Sequence, residues 1–425
     1  MSRELSEEPI MTDLTLPGPP RTARLIPIVV TLCLTSFVAA TYGFGMYLFA
    51  ALLPDIRQTL GFDYGVAGII TGSAQAGFML FALLGAFLAH RIGGAAVALL
   101  SAALCAACLL AVPVFANVVI VAALLTVLGG TAASAYVPIV ELVAQSVPYS
   151  HRGKALGLIS SGTSYGVFIN GLLVPVFLST GNWQGVYVTV GLITCGFVAI
   201  ALVAFQRAGL LAAKTPAVEP SQGPKESQGF LKSFASAEPW VLMIWAITFL
   251  NGFTTLPFQS FLSPYLRDEL GIGVELSSQV WTLIGFIGMF SGFFLGALAD
   301  RIGIRWTLAM TYALVILACG LLLLVPSQWT ILTAGVAFAL AFYPIFGLVP
   351  GYIAKTPSRL SGTQIFSVAN VTLGIGGILG NLAGGTSQTI TQTFVPVYVA
   401  IAAMSLISIV LAIGLPQERE EVRAA

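Results

Sequence analysis

Nine polar side chains interrupt the long apolar runs of this chain: Tyr42, Gln75, Tyr136, Tyr165, Asn170, Asn251, Thr255, Tyr343 and Asn370. Each carries a hydroxyl or an amide, so each can exchange hydrogen bonds with a neutral or weakly acidic solute. The same groups can instead tie one helix to the next, and both readings stay open here. No Lys or Arg stands in the middle of an apolar run. A carboxylate at that depth would therefore lack the fixed cation that ordinarily recognises it. Formal charges gather where the apolar runs stop. "GALADRIGIR" (296–305) brings Asp300, Arg301 and Arg305 together, and "AFLAHRIGG" (86–94) places Arg91 at the matching point 210 positions earlier. Charges at helix ends can pair across an interface and release again, which biases an equilibrium between two states. The simpler reading is that the cations only anchor loops on one side. Glu141 stands apart as an acid well inside an apolar run. A carboxylate there must pair or face a cavity, with Arg91 or Arg152 as the expected partner. A proton-carrying role for it is a further alternative.

The elements that position these groups follow from composition. The chain has 425 residues, 57% hydrophobic and 8% charged. A soluble domain carries about 25% charged residues. Apolar runs of ~20 residues read as membrane helices, and about twelve are found. Six lie near 25–53, 64–89, 95–115, 118–146, 154–178 and 184–206. Six more lie near 240–265, 276–299, 304–325, 329–353, 362–388 and 394–415. A polar break at 208–238 reads as a linker between two six-helix bundles, 25–207 and 239–415, with tails at 1–24 and 416–425. The N-terminal stretch lacks the short apolar core of a signal peptide. With both termini placed inside, only Arg57 and Arg267 of the eighteen Lys and Arg fall outside. That asymmetry predicts cytoplasmic termini and a multi-pass protein of the plasma membrane, the inner membrane of a bacterium. A net charge of +1 gives no reason to expect a nucleic-acid partner. The five cysteines all fall in apolar runs and read as small buried residues rather than a metal site. No G-x-x-x-x-G-K-[ST] loop occurs, so a chain that itself uses ATP is not expected.

The two halves repeat. Leu52, Pro54, Arg57, Leu60 and Gly61 match Leu262, Pro264, Arg267, Leu270 and Gly271 without a gap, and Leu88, Ala89, Arg91, Ile92 and Gly93 match Leu298, Ala299, Arg301, Ile302 and Gly303. Parallel repeats of six helices are a transporter plan. Over nearly its whole length the chain resembles the major facilitator superfamily. The loop signature G-x-L-A-D-R-x-G-R-[RK] is matched well at 296–305, and more weakly at 86–94, where His90 replaces the acid. "HRGKALG" (151–157) is similar to the family's loop into its fifth helix. The resemblance implies an all-α membrane fold of two pseudo-symmetric six-helix bundles. It also implies a cytoplasmic gate drawn from Arg91, Glu141, Arg152, Asp300, Arg301 and Arg305. A cavity lined by helices one, four, seven and ten would include Tyr42, Tyr136, Asn251 and Tyr343. Helix five is expected to slide on helix eight, and helix two on helix eleven, through glycines such as Gly162, Gly166, Gly288, Gly292 and Gly296. Gly153, Gly162 and Gly166 resemble an antiporter motif, but Val167 and Asn170 depart from it. "YGFGMYLFAALLP" resembles carboxylate-type facilitators.

The expected function is secondary transport of a small organic solute, a weak organic acid or a neutral compound, by alternating access. The chain is not expected to be an enzyme and no cofactor is implied. Its expected partners are the solute, the lipid bilayer and, as an open alternative, a coupling proton, with the chain acting as a monomer. Efflux of amphipathic compounds is the alternative, and a non-transporting receptor on the same fold is a second.

Overall fold

Every backbone N–H and C=O inside a bilayer needs an internal partner, so apolar runs of this length are realised as helices. The computed structural model describes residues 21–211, 237–324 and 326–418. Twelve helices are long and apolar enough to span a membrane: α1 Ile26–Leu60, α2 Tyr64–Ile92, α3 Gly94–Val114, α4 Val118–Ser146, α5 Tyr149–Leu178, α6 Trp183–Arg207, α7 Pro239–Glu269, α8 Val274–Ile302, α9 Ile304–Leu324, α10 Gln328–Lys355, α11 Gly362–Thr391 and α12 Val395–Gly414. Most of the expected linker, and most of both tails, lie outside the described residues.

Polar residues mark the helix starts. Asp63 accepts from the Val66 N–H at 2.8 Å, Asn117 caps α4, and Ser327 and Ser361 form capping boxes on α10 and α11. Such caps satisfy N–H groups that a helix leaves open at its first turn. The repeated loops end alike: Gly93 and Gly303 follow Ile92 and Ile302 at φ 90°, a conformation that favours glycine. Several helices outrun their sequence-based limits, and three of these carry charges with them. α1 continues to Leu60 and α7 to Glu269, so Asp55, Arg57, Arg267 and Asp268 ride on helix ends. α8 continues to Ile302, which puts Asp300 and Arg301 in its last turn.

The first six helices form one bundle and the last six another. Across the junction α2 packs on α11, α5 on α8, and the ends of α1 on α7. Glycines show where this junction is tight. A Cβ at Gly285 of α8 would lie 2.3 Å from the Phe168 backbone nitrogen of α5, and one at Gly68 of α2 would lie 2.5 Å from the Asn381 carbonyl oxygen of α11. Both contacts belong to the end of the bundle remote from Arg207 and Pro239. Toward those two residues, at what we call the linker end, Gly153 and Gly157 of α5 and Gly292 and Gly296 of α8 have nothing within 4 Å. The halves therefore meet at the far end and stand apart at the linker end.

Two expectations are corrected. Gly162 and Gly166 do not meet α8; their Cβ positions would lie 2.6 Å from the Thr35 carbonyl oxygen and 2.6 Å from Gly43 Cα, so this stripe seats α5 on α1. Small residues let backbones approach, but spacing alone does not say which backbone. The thiols of Cys33, Cys105, Cys108 and Cys319 are buried, whereas Cys195 is exposed because α6 lies at the rim of its bundle.

Candidate functional site

Neutral aromatic and polar side chains meet where α1, α2, α4, α5 and α10 approach one another. In α1 the segment Ala39–Tyr47 is π-helical, a wider winding that often marks functional positions. It presents Tyr42 to Tyr136 of α4 and to Phe78 of α2, with ring centroids 6.0 Å apart in both pairs and edge-to-face geometry. The Tyr136 hydroxyl shares a 3.0 Å hydrogen bond with Ser160 of α5, and the Tyr136 ring remains exposed. Tyr47 meets Phe342 of α10 across the junction at 6.3 Å. Tyr343 packs beside Ser164 of α5 and Gly288 of α8, and its hydroxyl is buried without a hydrogen-bond partner among the described residues.

The remaining polar candidates separate into three kinds. Asn170 donates to the Gly43 carbonyl oxygen at 2.7 Å, so it ties α5 to α1. Thr255 turns back on its own helix and donates to the Asn251 carbonyl oxygen at 2.7 Å. Asn251 itself is buried, and its side-chain oxygen has no partner among the described residues. Tyr165 is half-buried on α5. Asn370 lies one turn toward the linker end from Gly374, which meets Met79 of α2, and its amide donates only to Phe366 of its own helix. Gln75 is buried between α2 and α11 beside Gly377. Tyr47, Ser164, Gln259 and Asn381 were not among the sequence candidates. Their position inside apolar runs was the available signal, and it was no stronger than that of many residues that merely pack.

The far end is shut by charge. Arg267 of α7 reaches Asp55 of α1 through both guanidinium nitrogens, at 2.5 and 2.8 Å. Arg57 of α1 reaches Asp268 of α7 at 3.1 Å, and its guanidinium lies 4.7 Å from the centre of the Tyr64 ring. The Tyr64 hydroxyl donates to the same Asp268 carboxylate. The two arginines occupy equivalent places in the repeat, and each is held by an acid from the opposite half. They are also the two cations that the charge asymmetry left on the outside. Their exceptional placement was legible in the sequence; their partners were not.

At the linker end the charges are unlatched. Among the described residues no ion pair crosses between the halves there; Asp300 meets Lys355 of its own half at 3.4 Å, not the expected Arg301 and Arg305. The reason is geometric: α8 ends beside α10, and Arg301 is exposed on the α8 end. Arg305 turns to the Leu415 carbonyl oxygen, and Glu418 accepts from the Ile304 and Arg305 N–H groups at 2.6 and 3.1 Å, which caps α9. Glu141 pairs with neither Arg91 nor Arg152. It accepts from Gln145 one turn on, while Arg152 reaches the Ala144 and Val147 carbonyls and Arg91 lies over Phe87. Glu238, at the start of α7, accepts from the Ser358 hydroxyl and the Arg359 N–H, and these bonds hold its carboxyl below the usual range.

Two six-helix bundles, joined at one end by ion pairs and parted at the other, follow the plan of membrane transporters built from parallel repeats. The chain belongs to the Major Facilitator Superfamily, whose family model matches residues 35–381. Curated relatives are distant. A probable anion transporter of Oryza sativa is 27% identical over 270 residues, covering 60% of this chain and 61% of the relative. A voltage-gated purine nucleotide uniporter of Rattus norvegicus is 25% identical over 267 residues, covering 58% and 56%. The uncharacterized MFS-type transporter YwfA of Bacillus subtilis is 26% identical over 323 residues, covering 70% and 71%. The first two matches span less than two thirds of those relatives' length. Among solved structures, the nucleoside transporter NupG superposes with a TM-score of 0.70 at 14% identity, covering 92% of this chain and 99% of that one. A bacterial homologue of the lysosomal transporter Spinster, in an inward-facing and occupied conformation, gives 0.70 at 16% identity, covering 94% and 97%. At these identities the structures speak for the fold alone.

Proposed function

We propose that this protein moves a small organic solute, neutral or weakly acidic, by rocking its two halves about the junction, without ATP and without catalysing a reaction. The observation that carries this reading is a linker end where Gly153, Gly157, Gly292 and Gly296 meet nothing within 4 Å, opposite a far end shut by paired charges, with Tyr42, Tyr136 and Tyr343 on the helices between. Such a lining offers rings and hydroxyls to a solute and no fixed cation. Two relatives are named for anions or nucleotides. An anion in this chain would be held by hydroxyls and amides, which suits a weak acid better than a polyphosphate. The charge asymmetry supports cytoplasmic termini, so the conformation described here opens to the cytoplasm of a bacterial-type inner membrane. Efflux of amphipathic compounds remains the alternative reading, favoured by the aromatic walls.

The test is a thermal-shift screen of the purified protein against metabolites and drugs, followed by flux of each hit in liposomes. Asn251→Leu and Tyr343→Phe should weaken a hit about tenfold or more, since a lost hydrogen bond to a buried partner costs ~1–3 kcal/mol. Neither side chain ties helices in this conformation, so the melting temperature without ligand should hold. A fall in that temperature with an unchanged ligand response would remove both residues from the site.

Orientation is checked with single cysteines at Ser227 and Gly273 in a background lacking the native five. Ser227→Cys should resist an impermeant reagent applied to cells, and Gly273→Cys should react. The reverse pattern would invert the topology. Ser227 lies outside the described residues, and Gly273 sits exposed at the far end.

The linker-end latch is formed, on this reading, only when that end closes. Asp300→Asn should then shift the population about fivefold toward the conformation seen here, from ~1 kcal/mol for an exposed pair. Unaltered accessibility of cysteines lining the opening would leave Asp300 with no part in the latch.

A further inference from the structure

Just inside the far gate the halves enclose a cavity of about 50 Å³, walled by Tyr47 of α1, Thr71 and Gln75 of α2, Gln259 and Ser260 of α7, and Asn381 of α11. Gln75, Gln259 and Asn381 are only 6%, 3% and 2% exposed. Gln259 Oε1 and Asn381 Oδ1 are fully enclosed with no hydrogen-bond partner, and Gln75 makes no side-chain hydrogen bond among the described residues. Thr71, by contrast, is satisfied by the Ala67 carbonyl oxygen at 3.0 Å. Buried amide oxygens are costly to leave unpaired, so two of them around one void, with the Gln75 amide beside them, point to a guest.

The walls also say what guest. No formal charge lines the cavity, and the nearby cations Arg57 and Arg267 are each held by an acid. An amide can turn either its NH2 or its C=O to the void, so the three together suit a group that both donates and accepts. At 50 Å³ there is room for about four water-sized groups. The walls come from both halves, Gln75 from one and Gln259 and Asn381 from the other. When the far end opens, water can reach these amides. When it closes, something must take the place of that water.

We propose that Gln75, Gln259, Ser260 and Asn381 form a seat for the uncharged head group of the transported solute, of carboxamide or hydroxyl kind. The head then favours closure of the far gate, adding to the ion pairs there, because the guest binds the closed form better than the open one. This rests on the transport reading above and narrows it to a solute whose far-side end is neutral.

Benzamide and benzoate serve as probes on the purified full-length protein. They differ in the head group and share the same apolar ring. Benzamide should raise the melting temperature at a concentration at least tenfold below that needed for benzoate. Gln259→Leu and Asn381→Leu should leave the unliganded melting temperature unchanged or higher, since each removes an unpaired buried group and keeps most of the volume. Both should raise the half-saturating benzamide concentration at least tenfold. An equal response to benzoate, or none to benzamide, would overturn the seat and leave the void to water. A lower unliganded melting temperature with an unchanged benzamide response would also overturn it, because the amides would then be structural. Flux in liposomes separates the two readings. Benzamide binding with no solute flux in any assay would refute transport and leave the seat standing. Flux of other solutes with no benzamide response would refute the seat alone.

Discussion

Arg267→Ala should raise the population open at the far end about thirtyfold. Arg267 holds Asp55 through two parallel bonds at 2.5 and 2.8 Å, and the two side chains are only 15% and 18% exposed. Exposed pairs contribute ~0–1 kcal/mol, whereas breaking a buried pair costs ~3–5 kcal/mol. This pair lies between those limits, at about 2 kcal/mol, which converts to roughly thirtyfold. The Arg57–Asp268 pair is more exposed and makes one bond at 3.1 Å, so Arg57→Ala should shift the balance only about fivefold. Exchanging the charges, with Asp55→Arg and Arg267→Asp together, should restore most of the closure. Spin labels on Gln58→Cys and Glu275→Cys, both exposed at the far end on opposite halves, report the separation. A distance distribution unchanged by Arg267→Ala would show that packing rather than charge keeps this end shut.

Gly285→Ala should also open the far end, and Gly292→Ala, two turns along the same helix, should not. The Cβ added at Gly285 would lie 2.3 Å from the Phe168 backbone nitrogen, which cannot swing aside as a side chain can. The contact is reciprocal along the junction, since a Cβ at Gly171 of α5 would lie 2.5 Å from the Thr282 nitrogen of α8. Overpacking of this kind costs ~1–3 kcal/mol or more, so the closed far end loses roughly fivefold to more than a hundredfold in population. Gly292 has nothing within 4 Å in this conformation. Gly292→Ala should leave the label distance unchanged and slow flux only if the linker end packs there when it closes. The same label pair, with flux in liposomes, decides the matter. Equal far-end opening by both variants would mean that glycine content, not the Phe168 contact, governs the junction.

Most of the fold was legible before any coordinate. Apolar runs long enough to span a bilayer have one stable solution, so their number and order were given by composition. The repeat across 210 positions paired the halves, and Gly93 and Gly303 turn the chain at equivalent points with the same φ of 90°. Helix ends were less legible. Asp55, Arg57, Arg267 and Asp268 looked like loop residues because charge ends an apolar run, yet two cross-paired ends let α1 and α7 continue outward. The absence of a cation at mid-depth led only to the expectation of a neutral cavity.

What only the tertiary structure decided is which polar group meets which. Asn170 and Asn251 look alike in the sequence, each an amide within an apolar helix. Asn170 finds the Gly43 carbonyl oxygen across α1, and the Asn251 oxygen finds nothing. Gly166 and Gly285 also look alike, yet one seats α5 within its own half and the other receives the opposite half. Residue type and depth determine that a buried amide needs a partner and that a glycine permits close approach. The partner itself depends on the rotation of each helix about its axis and on the tilt of one bundle against the other. Both are set by the packing of many side chains at once, and local sequence carries no direct record of them.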